Sequence, residues 1–280
     1  MTMNENNPLR QFFRRPAVHI SLPSGGDAYA PEDIVWPEEN KELPVYPMTA
    51  IDEITTKTPD ALFNGSAMVE IIKSCVPDIK NPWALLSTDL DTVLISIKAA
   101  GGQETIDVES ECENKECMAL GTYGINLQIL LRSLGPGDYE TPLKMNELEI
   151  YYSPLDYRKM NDAALKQFDI QAKYKGLSAI EDPTERGAVS GEALKDITIL
   201  TMEILSNTIS KIVTPEGEVT NSDHIYDFLQ NADTKTYETI RDHNTKLREK
   251  STIKPLDIKC EECGHEYKQP FTLNASDFFV

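Results

Sequence analysis

Cysteine, histidine and basic side chains are all scarce in this 280-residue chain. It has five Cys, four His, and 27 Lys plus Arg against 46 Asp plus Glu. The net charge of −19 leaves no basic footprint for a nucleic-acid backbone and disfavours contact with anionic membranes. No apolar run approaches the roughly 18 residues of a membrane span, so no membrane insertion is expected. Residues 1–16 are polar and arginine-bearing without the apolar core of a secretory signal, which predicts a cytosolic protein. Five cysteines in a reducing compartment point to metal binding or free thiols rather than a disulfide framework.

Enzyme signatures are also missing. His19, His224, His243 and His265 are scattered and form no His-Glu-x-x-His pair, and there is no nucleophile elbow or phosphate-binding loop. Gly135-Pro136-Gly137 reads as a turn. Asp89 and Asp91 could be offered as paired carboxylates. Their place in the first turn of a predicted helix is already explained by the helix dipole.

What is present is a composition of 40% hydrophobic and 26% charged residues, ordinary for a globular chain with a sizeable core. The pattern predicts an α+β fold in three parts. Residues 1–47 hold seven of the seventeen prolines, with Phe12, Phe13 and Trp36 among Arg10, Arg14 and Arg15. That density opposes helix and predicts an extended N-terminal arm, read either as a disordered tail or as a segment that docks on a partner. Residues 48–152 plus 253–280 form a mixed body, and 153–252 a helical insertion.

In the body, Thr58-Pro59-Asp60 resembles a helix start, and Ser66 to Val76 reads as a helix stopped by Pro77. Thr88 with Asp91 resembles a capping box ahead of the apolar face Leu90, Val93, Leu94 and Ile97. Strands are predicted at Gln103–Glu111, around Tyr123–Leu127 and at Glu147–Tyr152. In the insertion, Leu194, Ile197, Leu200, Ile204, Leu205, Ile209 and Ile212 predict one long amphipathic helix ended at Pro215. Two shorter helices follow, Ser222–Gln230 and Thr234–Lys250, the second poor in apolar residues and expected to be largely exposed.

The cysteines carry the strongest chemical signal. Cys260-Glu-Glu-Cys263-Gly264 spells a knuckle, because a tight Cys-x-x-Cys turn offers two sulfurs to one ion and glycine allows the sharp bend after it. Cys112 and Cys117 form a looser upstream pair with four residues between them. Strand-like flanks on both pairs predict a zinc-ribbon-like arrangement in which Cys112, Cys117, Cys260 and Cys263 hold one structural Zn and fix the tail Phe278-Phe279-Val280. Four reduced thiols without metal is the alternative. Four protein ligands would leave no open position for catalysis. Glu109, Glu111, Glu113, Glu116, Glu261 and Glu262 crowd the pairs and would repel a phosphate backbone. Cys75 reads as a buried small hydrophobe.

Leu22-Pro23-Ser24-Gly25-Gly26, Pro47-Met48-Thr49-Ala50-Ile51-Asp52-Glu53 and Thr58-Pro59-Asp60-Ala61-Leu62 follow one another as distinctive short segments. Asn64-Gly65, Ser74-Cys75-Val76-Pro77, Asp89-Leu90-Asp91, the mid-chain cysteines and the terminal Cys-x-x-Cys before Asp277-Phe278-Phe279 continue the series. In this order the segments are similar to the T-even-type phage baseplate protein family, and the resemblance covers nearly the whole chain. It implies a structural, non-enzymatic component of a contractile-tailed phage baseplate, as a hub or hub-assembly subunit. Its implied partners are other phage tail and baseplate proteins, with a homo-oligomer within the assembly as a further expectation. The implied location is the virion tail, with assembly in the host cytoplasm. A zinc-ribbon adaptor acting in transcription is the competing expectation from the cysteines alone.

Overall fold

The structure is a computed structural model that describes residues 7–37, 40–57, 61, 63–177, 181–271 and 273. The expected helix start at Thr58-Pro59-Asp60 and the Phe278-Phe279-Val280 tail lie outside the described residues. The fold is α+β, and the chain divides into two compact units. One comprises 1–82, 91–133 and 254–280, and the other 83–90 and 134–253.

In the first unit, the segment read as an arm opens with a 3-10 turn, Pro8–Phe12. Strand β1 (Val18–Ser21) then pairs antiparallel with β2 (Glu42–Val45), and Ile20, Leu22, Ile34, Leu43 and Val45 are buried. Arg14 explains how so proline-rich a segment is held. Its Nη1 donates to the Pro47 carbonyl at 2.5 Å and reaches Asp52 at 3.4 Å. Its Nη2 donates to the Ser74 carbonyl at 2.7 Å and the Ser74 hydroxyl at 2.8 Å. A planar, always-charged fork spreads its donors over separate nitrogens and so reaches acceptors on two segments, whereas a lysine's three donors radiate from one nitrogen. Helix α1 (Ala50–Thr56) is capped by Thr49, whose N–H and hydroxyl both donate to Asp52 while Asp52 N–H returns to Thr49. Helix α2 (Ser66–Cys75) buries Met68, Ile71, Ile72 and Cys75, and burial pushes the Cys75 thiol up to about 11, consistent with an inert core thiol.

Helix α3 (Ser87–Ala100) buries Val93, Leu94 and Ile97, the face its periodicity predicts. It begins two residues earlier than the Thr88 cap implies, so Thr88 lies inside the first turn. Its buried hydroxyl has no partner among the described residues, and neither do those of Thr92 and Ser96 one and two turns on. Strand β3 (Thr105–Glu111) pairs antiparallel with β4 (Leu120–Asn126), and the chain passes directly into α4 (Leu127–Ser133), with the Asn126 side chain accepting from the Gln128 N–H. The expected strand is therefore realised up to Asn126, and a short helix follows it without a break.

The second unit is built on a four-stranded antiparallel sheet in the order β5 (Leu143–Met145), β6 (Leu148–Tyr152), β7 (Ile209–Thr214), β8 (Gly217–Val219). Helices α5 (Tyr157–Tyr174) and α6 (Pro183–Asn207) form a hairpin, and α7 (Ser222–Asn231) and α8 (Thr234–Ser251) complete the unit. One expectation is corrected here. Ile209 and Ile212 do not continue the amphipathic helix. The helix stops at Asn207 and the β-branched run Ile209-Ser-Lys-Ile212-Val213-Thr214 becomes a central strand, where branched side chains pack better. Helix α8 is exposed over most of its residues, as expected, apart from one stripe. Ile240, Asn244, Leu247 and Ser251 form a narrow buried stripe, whose Ile240 and Leu247 pack with Ile150, Tyr152, Leu205, Ile209, Ile212, Ile225 and Leu229. The segment read as a helical insertion thus also contributes two strands.

Candidate metal centre

The two cysteine pairs sit on two hairpins of the first unit. After β3, the Cys112 N–H donates to the Ala119 carbonyl at 2.9 Å, and Cys117 and Met118 both donate back to Asn114 O at 2.8 and 3.0 Å. This folds residues 112–119 into a tight loop, with Met118 in a left-handed conformation (φ 47°). The second hairpin pairs β9 (Leu256–Lys259) with β10 (Glu266–Gln269). At its tip the Cys260 N–H donates to His265 O and the Gly264 N–H to Cys260 O, at 2.8 and 2.9 Å. Gly264 has φ 72° with open space where a Cβ would lie, so glycine is there for its backbone freedom.

The hairpins meet crosswise. Cys112 Sγ lies 3.7 Å from Cys263 Sγ, and Cys117 Sγ lies 3.8 Å from Cys260 Sγ. All four sulfurs fall within 4.8 Å of one another. Four thiolates around one Zn at about 2.3 Å would have their sulfurs about 3.8 Å apart, so the spacing and the donor type fit a closed tetrahedral site. The Asn114 amide reaches Cys263 Sγ at 3.8 Å. Burial pushes the Cys112 thiol up to about 12, whereas the Cys263 backbone N–H aimed at the Cys260 sulfur holds that thiol down at about 7. His265 is not in the cluster, since its ring stacks on Tyr267 at 6.0 Å.

Behind the sulfurs, polar residues that the sequence did not single out join the two hairpins. Tyr267 OH donates to Ser110 Oγ at 3.0 Å, and Ser110 Oγ donates to Gln269 Oε1 at 2.7 Å, with Ser110 and Tyr267 both buried. Gly121, opposite Ser110 in the β3–β4 register, lets the Tyr123 ring approach. A Cβ there would stand 2.7 Å from the Tyr123 hydroxyl. Ser, Tyr and Gln at alternating strand positions carry no signal in sequence, because only their pairing across hairpins distinguishes them.

Elsewhere, a groove of about 460 Å³ runs between α5 and α6, lined by Lys159, Ala163, Lys166, Leu200, Glu203 and Ile204. Lys166 pairs with Glu203 across it, a surface ion pair rather than a set of reactive groups. Asp89 and Asp91 do not form a cleft-lining pair: Asp89 is fully buried and Asp91 half-buried in α3. No described helix is long and apolar enough to cross a membrane.

No curated protein and no solved structure matches the chain. The profile of the T4 bacteriophage base plate protein family matches residues 33–280, which takes in α1 to α8 and both cysteine hairpins. By that match over most of its length, the chain belongs to the T4 bacteriophage base plate protein family.

Proposed function

We propose that the protein is a non-enzymatic structural subunit of a contractile-tailed phage baseplate, acting at the hub or in building it, and held in shape by one structural Zn. The observation that carries this reading is the family match over residues 33–280 in a chain whose four cysteine sulfurs lie within 4.8 Å of one another. In this role Cys112, Cys117, Cys260 and Cys263 are the ligands. When bound, the metal supplies a tetrahedral cross-link, and with four protein ligands it has no position left for substrate. The chain's own residues do the rest. The Gly264 turn aims two sulfurs, the 112–119 loop aims the other two, and Ser110, Tyr267 and Gln269 keep the hairpins in register.

Function then lies in surfaces presented to other tail and baseplate proteins, with residues 1–47 contributing one of them. The protein assembles in the host cytoplasm and resides in the virion tail. The acidic residues around the cysteines and the net charge of −19 favour protein partners over nucleic acid. Mass spectrometry and zinc analysis of purified tails test the proposal. Stoichiometric subunit and metal in the particle are expected. Co-purification with RNA polymerase and absence from tails at every assembly stage would replace it with the adaptor role.

A further inference from the structure

We infer that the surface formed by Leu9, Phe12 and Phe13 together with Ile51 and Ile54 receives an acidic amphipathic helix of another baseplate subunit, an inference that rests on the structural role proposed above. These five side chains are 61%, 76%, 53%, 75% and 67% exposed. Their exposed areas sum to on the order of 600 Å², compared with the roughly 800 Å² that one side of a standard interface buries.

The patch is held rather than trailing. Asn7 caps the Pro8–Phe12 turn by accepting from the Leu9 N–H at 2.9 Å, and no residue of that turn is buried. Immediately after it, Arg14 is anchored on Pro47, Asp52 and Ser74, which brings the end of the turn to the start of α1. On α1 the capping residue Asp52 faces inward, while Ile51 and Ile54, three apart on one helical face, point to solvent. Aromatic side chains fixed on an anchored backbone lose little freedom on binding, which is how interface anchors are made.

The charge selects the partner. Residues 7–26 carry Arg10, Arg14 and Arg15 and no carboxylate, in a chain of net charge −19. Arg14 is committed internally, so among the described residues of the turn and α1 the exposed cations Arg10, Arg15 and Lys57 outnumber the exposed carboxylate of Glu53. A two-fold pairing of this patch with itself would bring the arginines of both copies together. A helix carrying Asp or Glu beside an apolar stripe satisfies both the rim and the centre.

The test places the photo-cross-linking residue p-benzoylphenylalanine at Phe12 in phage-assembled, purified baseplates and sequences the cross-linked peptide. In parallel it measures incorporation of Phe12→Ser/Phe13→Ser and Arg10→Glu/Arg15→Glu proteins. The expected result is a cross-link to a helical, carboxylate-bearing segment of a different baseplate subunit, and at least tenfold lower incorporation of both variants with unchanged melting temperature. A cross-link to a second copy of this chain or to a basic segment overturns the inference. So does normal incorporation of the Phe12→Ser/Phe13→Ser protein, or an uncross-linked Phe12 position in baseplates that contain the subunit. Absence of the wild-type subunit from baseplates overturns the structural role itself, and this surface with it.

Discussion

Cys112 and Cys263 stand 151 positions apart in the chain, yet their sulfurs are 3.7 Å apart. The contact is crosswise: the first cysteine of the upstream pair meets the second of the downstream pair, and Cys117 meets Cys260 at 3.8 Å. Closing so long a loop costs conformational entropy, and a metal bond is one way to offset it.

The purified protein should contain one zinc per chain. Cys260→Ser should lose most of it and lower the melting temperature by about 10 °C or more, because a three-sulfur site holds metal weakly. Plasma emission analysis with thermal scans, with and without a chelator, provides the measurement. A Cys260→Ser protein that melts like the wild type with full metal content would end the structural-zinc proposal.

Arg14→Ala should destabilise the first unit by about 2–4 kcal/mol. It removes charge-assisted hydrogen bonds to Pro47 and Ser74 and the ion pair with Asp52. Arg14→Lys should recover less than half of that, since a single nitrogen lacks the spread by which Nη1 and Nη2 reach Pro47 and Ser74 separately. Urea titrations of the wild type and both variants decide it. Equal midpoints for the wild type and the Arg14→Lys protein would contradict the forked anchoring.

Asp91 gives a pH dependence of defined sign. Burial pushes its carboxyl up to about 7 in the folded protein from an ordinary value of 3.8. Below that ordinary value both states are protonated and nothing is lost. As pH rises through about 4 to 7 the unfolded chain ionises first, so stability falls and stays lowered above 7. With allowance for partial exposure, the loss is roughly 1–3 kcal/mol. Asp91→Asn should flatten this slope and stabilise the protein at pH 8. Denaturant midpoints at about pH 4.5, 6 and 8 compare the two, and parallel profiles would exclude Asp91 as the source.

Gly264→Ala should cost about 1 kcal/mol through its left-handed backbone alone, since nothing lies within 4 Å of the added methyl. Gly264→Asn, which tolerates that conformation better, should cost less. Equilibrium unfolding of the metal-loaded proteins distinguishes them. A larger loss for Gly264→Asn than for Gly264→Ala would show that space, not backbone, governs the position.

Parts of the architecture are legible along the chain because they are local. Asn221 and Asp233 cap α7 and α8 within a residue of the expected starts, and the Val93, Leu94, Ile97 face of α3 is buried as its period requires. Ile209 and Ile212 mislead because a spacing of three fits a helical face. What decides for strand is the neighbour β6, which pairs Ile150 with Ile212. The buried stripe of α8 is hard to read because Ile240 and Leu247 are too few to make a periodic pattern until Tyr152 and Leu229 pack against them. In sequence Arg14 is one of three similar arginines, and only the return of Pro47 and Ser74 distinguishes it.

Residue chemistry alone determined that this is an acidic α+β chain with two sulfur-bearing turns, because ligand type, charge and knuckle spacing are properties of short segments. Tertiary structure decided which sulfurs meet, that Ser110, Tyr267 and Gln269 tie the hairpins together, and which apolar side chains remain at the surface. Those outcomes depend on contacts between segments up to 159 positions apart, whose geometry no local pattern encodes.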